Sequence, residues 1–130
     1  MSNIDTVRSL FDMWGKGDLE GFLAMLDPNV EWRFADNFVY GKVNPLIGRQ
    51  ALREGSLKRL RTDWEDFNAL PAEFLDAGEH VVVLGHYVGR YKTTGRQLRA
   101  QFAHVYKIRN DRVVQWRQYV DTKAFDDAMS

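Results

Sequence analysis

Along this chain the apolar positions change their spacing once, from helical to alternating, and the change divides the sequence into a helical first part and a sheet-forming second part. Ile4, Val7, Leu10, Phe11 and Trp14 fall on one helical stripe. Ser2 or Asn3 can cap its first turn, with Asp5 following as an acidic early residue. Gly15 and Gly17 end this helix. Asp18 caps a second, shorter one carrying Leu19, Phe22, Leu23 and Leu26, and Asp27-Pro28 stops it because proline has no N–H to donate. Val30, Trp32 and Phe34 then alternate with Glu31 and Arg33, the pattern of a strand with one buried face. From Ala35 to Gly48 apolar residues such as Phe38, Tyr40 and Ile47 lie among Asn, Gly and Pro with no sustained period. This predicts a long loop that closes as a lid over something apolar. Arg49 to Arg61 reads as a third helix with Leu52, Leu57 and Leu60 inward, its basic residues solvated, and Gly55 a weak point in its middle.

From Asp63 onward the spacing is that of strands. Trp64 to Asp76 is one strand, and Pro71 within it predicts an edge position or a bulge, since proline cannot donate to a ladder. Asp76 to Glu79 turns the chain, His80 to Lys92 forms the next strand, and Thr93 to Arg96 the next turn. Leu98 to Thr122 holds two alternating runs folded about Asn110-Asp111, residues that tolerate the positive φ of a tight hairpin. Lys123 to Met129 predicts a closing helix. The sum is an α+β domain of 130 residues in which three helices of the N-terminal half cover one face of a strongly curved, mostly antiparallel sheet.

Period two also predicts which side chains share a face. The first run of the hairpin puts Phe102, His104, Tyr106 and Ile108 together, and the second puts Val113, Gln115, Arg117, Tyr119 and Asp121 together. Val114, Trp116 and Val120 would then form an apolar stripe on the outer face, and such a stripe predicts a homodimer.

Composition narrows the partners. Lys plus Arg equals Asp plus Glu at 18 each, so no net field favours nucleic acid or an anionic membrane, and a small, roughly neutral molecule is expected instead. The absence of cysteine removes disulfides, thiolate metal sites and thiol nucleophiles together, and fits the cytoplasm. No apolar window reaches the roughly 20 residues of a membrane span, and no basic-then-apolar leader opens the chain. The 8 Phe, 5 Tyr and 4 Trp supply a rigid core or the walls of an apolar pocket. The 3 histidines have no spacing that would hold one metal ion, no Gly-x-Ser-x-Gly elbow occurs, and no glycine-rich loop offers a phosphate cradle.

Three residues are left as candidate catalysts. Asp121, at the end of an aromatic strand face, would have its pKa raised by burial toward that of a general base. The same residue also stands where it can cap the last helix. His104 as a neutral ring can donate to a carbonyl or an enolate, or serve simply as a satisfied core residue. Tyr119 shares the face of Asp121 and can place a phenol on the same oxygen or form wall. Trp32, Phe34, Tyr40, Phe102 and Tyr106 are candidate pocket walls, and Arg117 joins them if it pairs with an acid there.

The order helix, helix, strand, apolar loop, helix, four strands, with the stretches GHYVGRYKTTGRQL, FAHVYKIRNDRV and WRQYVDT, resembles the NTF2-like superfamily, in particular its SnoaL-like branch of polyketide cyclase and ketosteroid isomerase relatives. The resemblance implies a cone-shaped pocket, an acid/base role for Asp121 in its last-strand position, and no external cofactor. The chain departs from ketosteroid isomerases in offering Trp14 and no Tyr on its first helix, and from limonene epoxide hydrolases in having Arg-x-Asp only at element ends. Two functions remain open: a cofactor-independent isomerase or aldol cyclase acting on a small hydrophobic carbonyl compound, or a binding or dimerising module with the same pocket.

Overall fold

The computed structural model describes residues 2–130. Four helices precede the long strands: α1 (Asn3–Gly15), α2 (Leu19–Ala24), α3 (Arg49–Glu54) and α4 (Ser56–Asp63). A fifth, α5 (Thr122–Met129), closes the chain. The strands are β1 (Leu26–Arg33), β2 (Leu46–Ile47), β3 (Trp64–Ala77), β4 (His80–Tyr91), β5 (Gln97–Arg109) and β6 (Arg112–Val120). They form one open sheet in the order β2-β1-β6-β5-β4-β3, antiparallel except where β1 runs parallel to β6.

The caps read from sequence are in place: Ser2 accepts from the Asp5 N–H at 3.1 Å and Asp18 from the Gly21 N–H at 2.9 Å. Each satisfies a first-turn donor that the helix itself cannot pair. The third predicted helix is two helices. At Gly55 a Cβ would stand 2.6 Å from the Ala51 carbonyl oxygen, so only glycine can make this break, and four helices rather than three occupy the N-terminal half. β3 is an edge of the sheet and its register shifts on either side of Pro71, so both outcomes that Pro71 allowed, an edge and a bulge, occur together. Asn110 and Asp111 both have positive φ, 52° and 61°, and close the β5–β6 hairpin.

The helices cover a single face of the sheet. Val81, Val83 and Tyr87 of β4 and Ala100, Phe102, His104, Tyr106 and Ile108 of β5 point into it, so alternation held along both strands. On β6 it did not. Lys107 opposes Gln115 but Ile108 opposes Val113, so Val114 is an extra residue, and this bulge reverses the side-chain phase. Trp116 and Gln118 are therefore buried inside, and Arg117, Tyr119 and Asp121 stand on the other face. Trp116, expected outside, stacks on Trp32 at 4.1 Å between ring centroids.

The segment from Ala35 to Gly48, expected to be a loop throughout, ends in the short strand β2 paired with β1, and its loop part is pinned rather than free. The Asn44 side chain accepts from the Phe34 N–H at 2.9 Å and donates to the Phe34 carbonyl at 3.0 Å. Phe38 and Tyr40 are buried, and Phe38 meets Phe125 of α5 edge to face at 4.9 Å. Phe125 is fully buried, worth about 1.5–3 kcal/mol by apolar burial alone, so α5 and the loop brace one another. No helix among the described residues is long and apolar enough to cross a membrane.

Candidate functional site: an apolar cavity with one polar chain

Between the sheet and the helices lies a cavity with about 60 Å³ of fully open room, within about 590 Å³ of space when the crevices of its walls and its mouth are counted. Its walls are aromatic and aliphatic: Phe11 and Trp14 of α1, Trp32 and Phe34 around β1, and Trp116 of β6. No lining residue carries a charge. On the side of Trp14, Leu60 and Phe67 it adjoins a surface cleft bordered by Lys16, Arg61 and Asp66.

The sheet wall carries most of the polar groups. Gln118 Nε2 donates to the Tyr87 hydroxyl at 3.0 Å, that hydroxyl lies 2.5 Å from His104 Nε2, and His104 Nδ1 lies 3.1 Å from the Tyr106 hydroxyl. Direction along this chain is set at the Gln118 end by a backbone donor. The Ala35 backbone N–H can only donate, and it meets Gln118 Oε1 at 3.3 Å, so the amide nitrogen must face Tyr87. Tyr87 then spends its single hydrogen on the acceptor within reach, His104 Nε2. The ring is left with its hydrogen on Nδ1 and donates to the Tyr106 oxygen. The Tyr106 O–H emerges at the end as a donor with no partner inside the protein, at the cavity wall.

Every member of the chain is held neutral. His104 is 4% exposed, and burial pushes its pKa down to about 3. Burial raises Tyr87, with the Gln118 hydrogen bond working the other way. Burial likewise raises Tyr106 well above the usual phenol range, the nearby Tyr87 adds to this, and a hydrogen bond from the Trp116 side chain opposes it. Phe102 stacks on the His104 ring at 4.0 Å and fixes its plane from behind.

The residues singled out from sequence therefore separate. His104, Tyr106, Trp32 and Phe34 meet at the cavity. Phe102 is buried beside it as the backing of His104. Tyr40 is buried elsewhere, accepting from Trp64 Nε1 and donating to Asp63 Oδ2, both at 2.9 Å. Asp121, Tyr119 and Arg117 are absent from the cavity. Asp121 is exposed at the start of α5, where its carboxylate accepts from the Ala124 N–H at 3.2 Å, and Tyr119 is 55% exposed on the outer face. The Val114 bulge is the cause in all three cases. Arg117 Nε is buried on that outer side with no partner. Sequence reasoning passed over Tyr87 and Gln118. Tyr87 shares the parity of Val81 and Val83 and was legible on that ground, whereas Gln118 turns inward only because of the bulge. Among the described residues no three His, Asp or Glu side chains gather as a metal site.

This helix-backed open sheet is shared with solved structures. An NTF2-like protein from Burkholderia thailandensis E264 superposes with a TM-score of 0.93 at 22% identity, over 100% of this chain and 98% of its own. An NTF2-like protein of unknown function from Burkholderia pseudomallei K96243 gives 0.89 at 30% identity, over 100% and 99%. TerC, co-crystallised with polyporic acid, gives 0.86 at 25% identity, over 98% and 97%. Residues 7–116 match the SnoaL-like domain family. The chain belongs to the SnoaL-like family. No curated protein matches it. Within this SnoaL-like domain the last-strand aspartate lies outside the cavity, and the polar work falls to Gln118, Tyr87, His104 and Tyr106.

Proposed function

We propose that this SnoaL-like protein binds a small, flat, uncharged hydrophobic compound and polarises a carbonyl oxygen of it through the Tyr106 hydroxyl. The observation that carries this reading is the direction of the hydrogen-bonded chain, which begins at the Ala35 N–H and leaves an unspent donor, the Tyr106 O–H, on the sheet wall of a mostly apolar space. A buried donor without a partner is costly, and a carbonyl supplies the missing acceptor. Stacked aromatic walls favour a planar body, and the lack of a cation in the lining disfavours a full negative charge there.

The same arrangement bears on catalysis. No carboxylate or amine lines the cavity, and the His104 Nε2 lone pair is occupied by Tyr87, so no group stands ready as a strong base. What remains is hydrogen-bond stabilisation of charge developing on the ligand oxygen, together with an enforced ligand shape. These features favour a binding site with electrophilic assistance over an isomerase that relies on an aspartate.

Titration of tryptophan fluorescence with 1-tetralone and with tetralin, the same frame lacking the carbonyl, tests the reading. Tyr106→Phe should weaken 1-tetralone by about 5- to 10-fold and leave tetralin unchanged, as one lost hydrogen bond implies. Equal affinity of Tyr106→Phe and the unsubstituted protein for 1-tetralone would remove the assignment. Polyporic acid, titrated in parallel, asks whether the compound co-crystallised with TerC also binds here.

A further inference from the structure

The cavity has a second polar feature, on the wall opposite the sheet. Ser56 is the first residue of α4, is 4% exposed and lines the cavity, and its hydroxyl is buried without any hydrogen-bond partner. Serine inside a helix usually satisfies its hydroxyl on the carbonyl four residues back. Here that residue, Leu52, belongs to α3, and the break at Gly55 turns the chain between the two helices. Gly55, in the capping position, has no side chain, so the first N–H groups of α4 also lack a side-chain acceptor. The positive end of an eight-residue helix and an unspent buried O–H thus lie together at the edge of an apolar cavity.

We infer that Ser56 and the N-terminal turn of α4 form a second oxygen-binding point, so that the ligand carries two acceptor oxygens on opposite edges of a planar ring system, one for Tyr106 and one for Ser56. This rests on the binding reading given above and narrows its ligand class to quinone-like or diketone compounds. Phe11, Trp14 and Trp116, which line the same cavity, supply apolar and aromatic surface for the ring body. The helix end favours an oxygen bearing partial negative charge, such as that of a conjugated carbonyl, over an ether or an ester alkoxy oxygen.

The probes are 1,4-naphthoquinone, with carbonyls on opposite edges, and 1-tetralone, with one. The absence of cysteine excludes thiol addition to the quinone. Ser56→Ala should weaken 1,4-naphthoquinone by about 5- to 10-fold and leave 1-tetralone, held at Tyr106, unchanged. The melting temperature of Ser56→Ala should not fall, because the substitution removes a buried hydroxyl that has no partner in the folded protein. Unchanged affinity for the quinone in Ser56→Ala while Tyr106→Phe weakens it would overturn the second binding point and leave the first intact. A drop of several degrees in Ser56→Ala would also overturn it, by showing that the hydroxyl serves the fold. Failure of the unsubstituted protein to bind either compound would overturn the binding reading and this inference with it.

Discussion

The Tyr87 hydroxyl lies 2.5 Å from His104 Nε2, and this contact determines what the imidazole can do. Tyr87 accepts from Gln118 and gives its own proton to the ring nitrogen within reach, and Gln118 is oriented by a backbone N–H from the loop after β1. Three strands and a loop thereby set the tautomer of one ring. His104 is not free to take a proton from a ligand. It passes the polarity of the chain on to Tyr106.

Burial of His104 makes stability depend on pH in a predictable direction. Its folded pKa, about 3, lies below the roughly 6.5 of the unfolded chain, so below pH 6.5 the unfolded state binds a proton that the folded state refuses. Stability is therefore full above that point and falls as the pH drops toward 3, at up to about 1.4 kcal/mol per pH unit from this residue alone. His104→Phe, which keeps the stacking, should show a shallower loss between pH 6.5 and 4 in urea unfolding. Parallel curves for the two proteins would mean that His104 becomes charged without cost.

Asp121 is expected to behave as a cap. Asp121→Asn should change unfolding free energy by only a few tenths of a kcal/mol, since asparagine caps about as well, and Asp121→Ala should cost about 1 kcal/mol. Neither should alter ligand affinity. A loss of binding in Asp121→Asn with stability intact would return the carboxylate to the site.

The outer face of the sheet is expected to pair with a second copy. Leu75, Val82, Val105 and Arg117 form one cross-strand row, and Glu73, Leu84, Ala103 and Tyr119 the next. Leu75 and Tyr119 are 46% and 55% exposed on this face. Sedimentation should give a dimer at micromolar concentration, and Leu84→Lys should shift it to monomer. A monomeric unsubstituted protein would remove the claim.

Gly55→Ala should destabilise the protein by about 1–3 kcal/mol, because the new methyl would lie 2.6 Å from the Ala51 carbonyl oxygen and the α3–α4 corner would have to open. Denaturant midpoints compare the two directly. A neutral result would show that the two helices can merge into one.

Most of the architecture was legible in the residues because it is built from local rules. Ser2 and Asp18 announce helix starts, Pro71 calls for an edge or a bulge, Asn110-Asp111 makes a hairpin, and alternation along β5 correctly gathered Phe102, His104 and Tyr106. Each depends on the intrinsic backbone preference of a few neighbouring residues or on a period that nothing interrupts.

The site depended on relations that no local rule contains. One extra residue at Val114 reverses the faces of β6, because a pleated strand has a period of two and an insertion of one exchanges inside for outside. Trp116 and Gln118 enter the cavity by that exchange, and Arg117, Tyr119 and Asp121 leave it. The bulge is a property of how β6 pairs with β5, and the direction of the polar chain is a property of which N–H from the loop meets Gln118. By itself the sequence determined that a helix-covered aromatic sheet would exist with His104 inside it. Only the tertiary structure decided which residues face that histidine, since strand register and the placing of a backbone donor arise from contacts between distant segments, Ala35 and Gln118 being 83 residues apart.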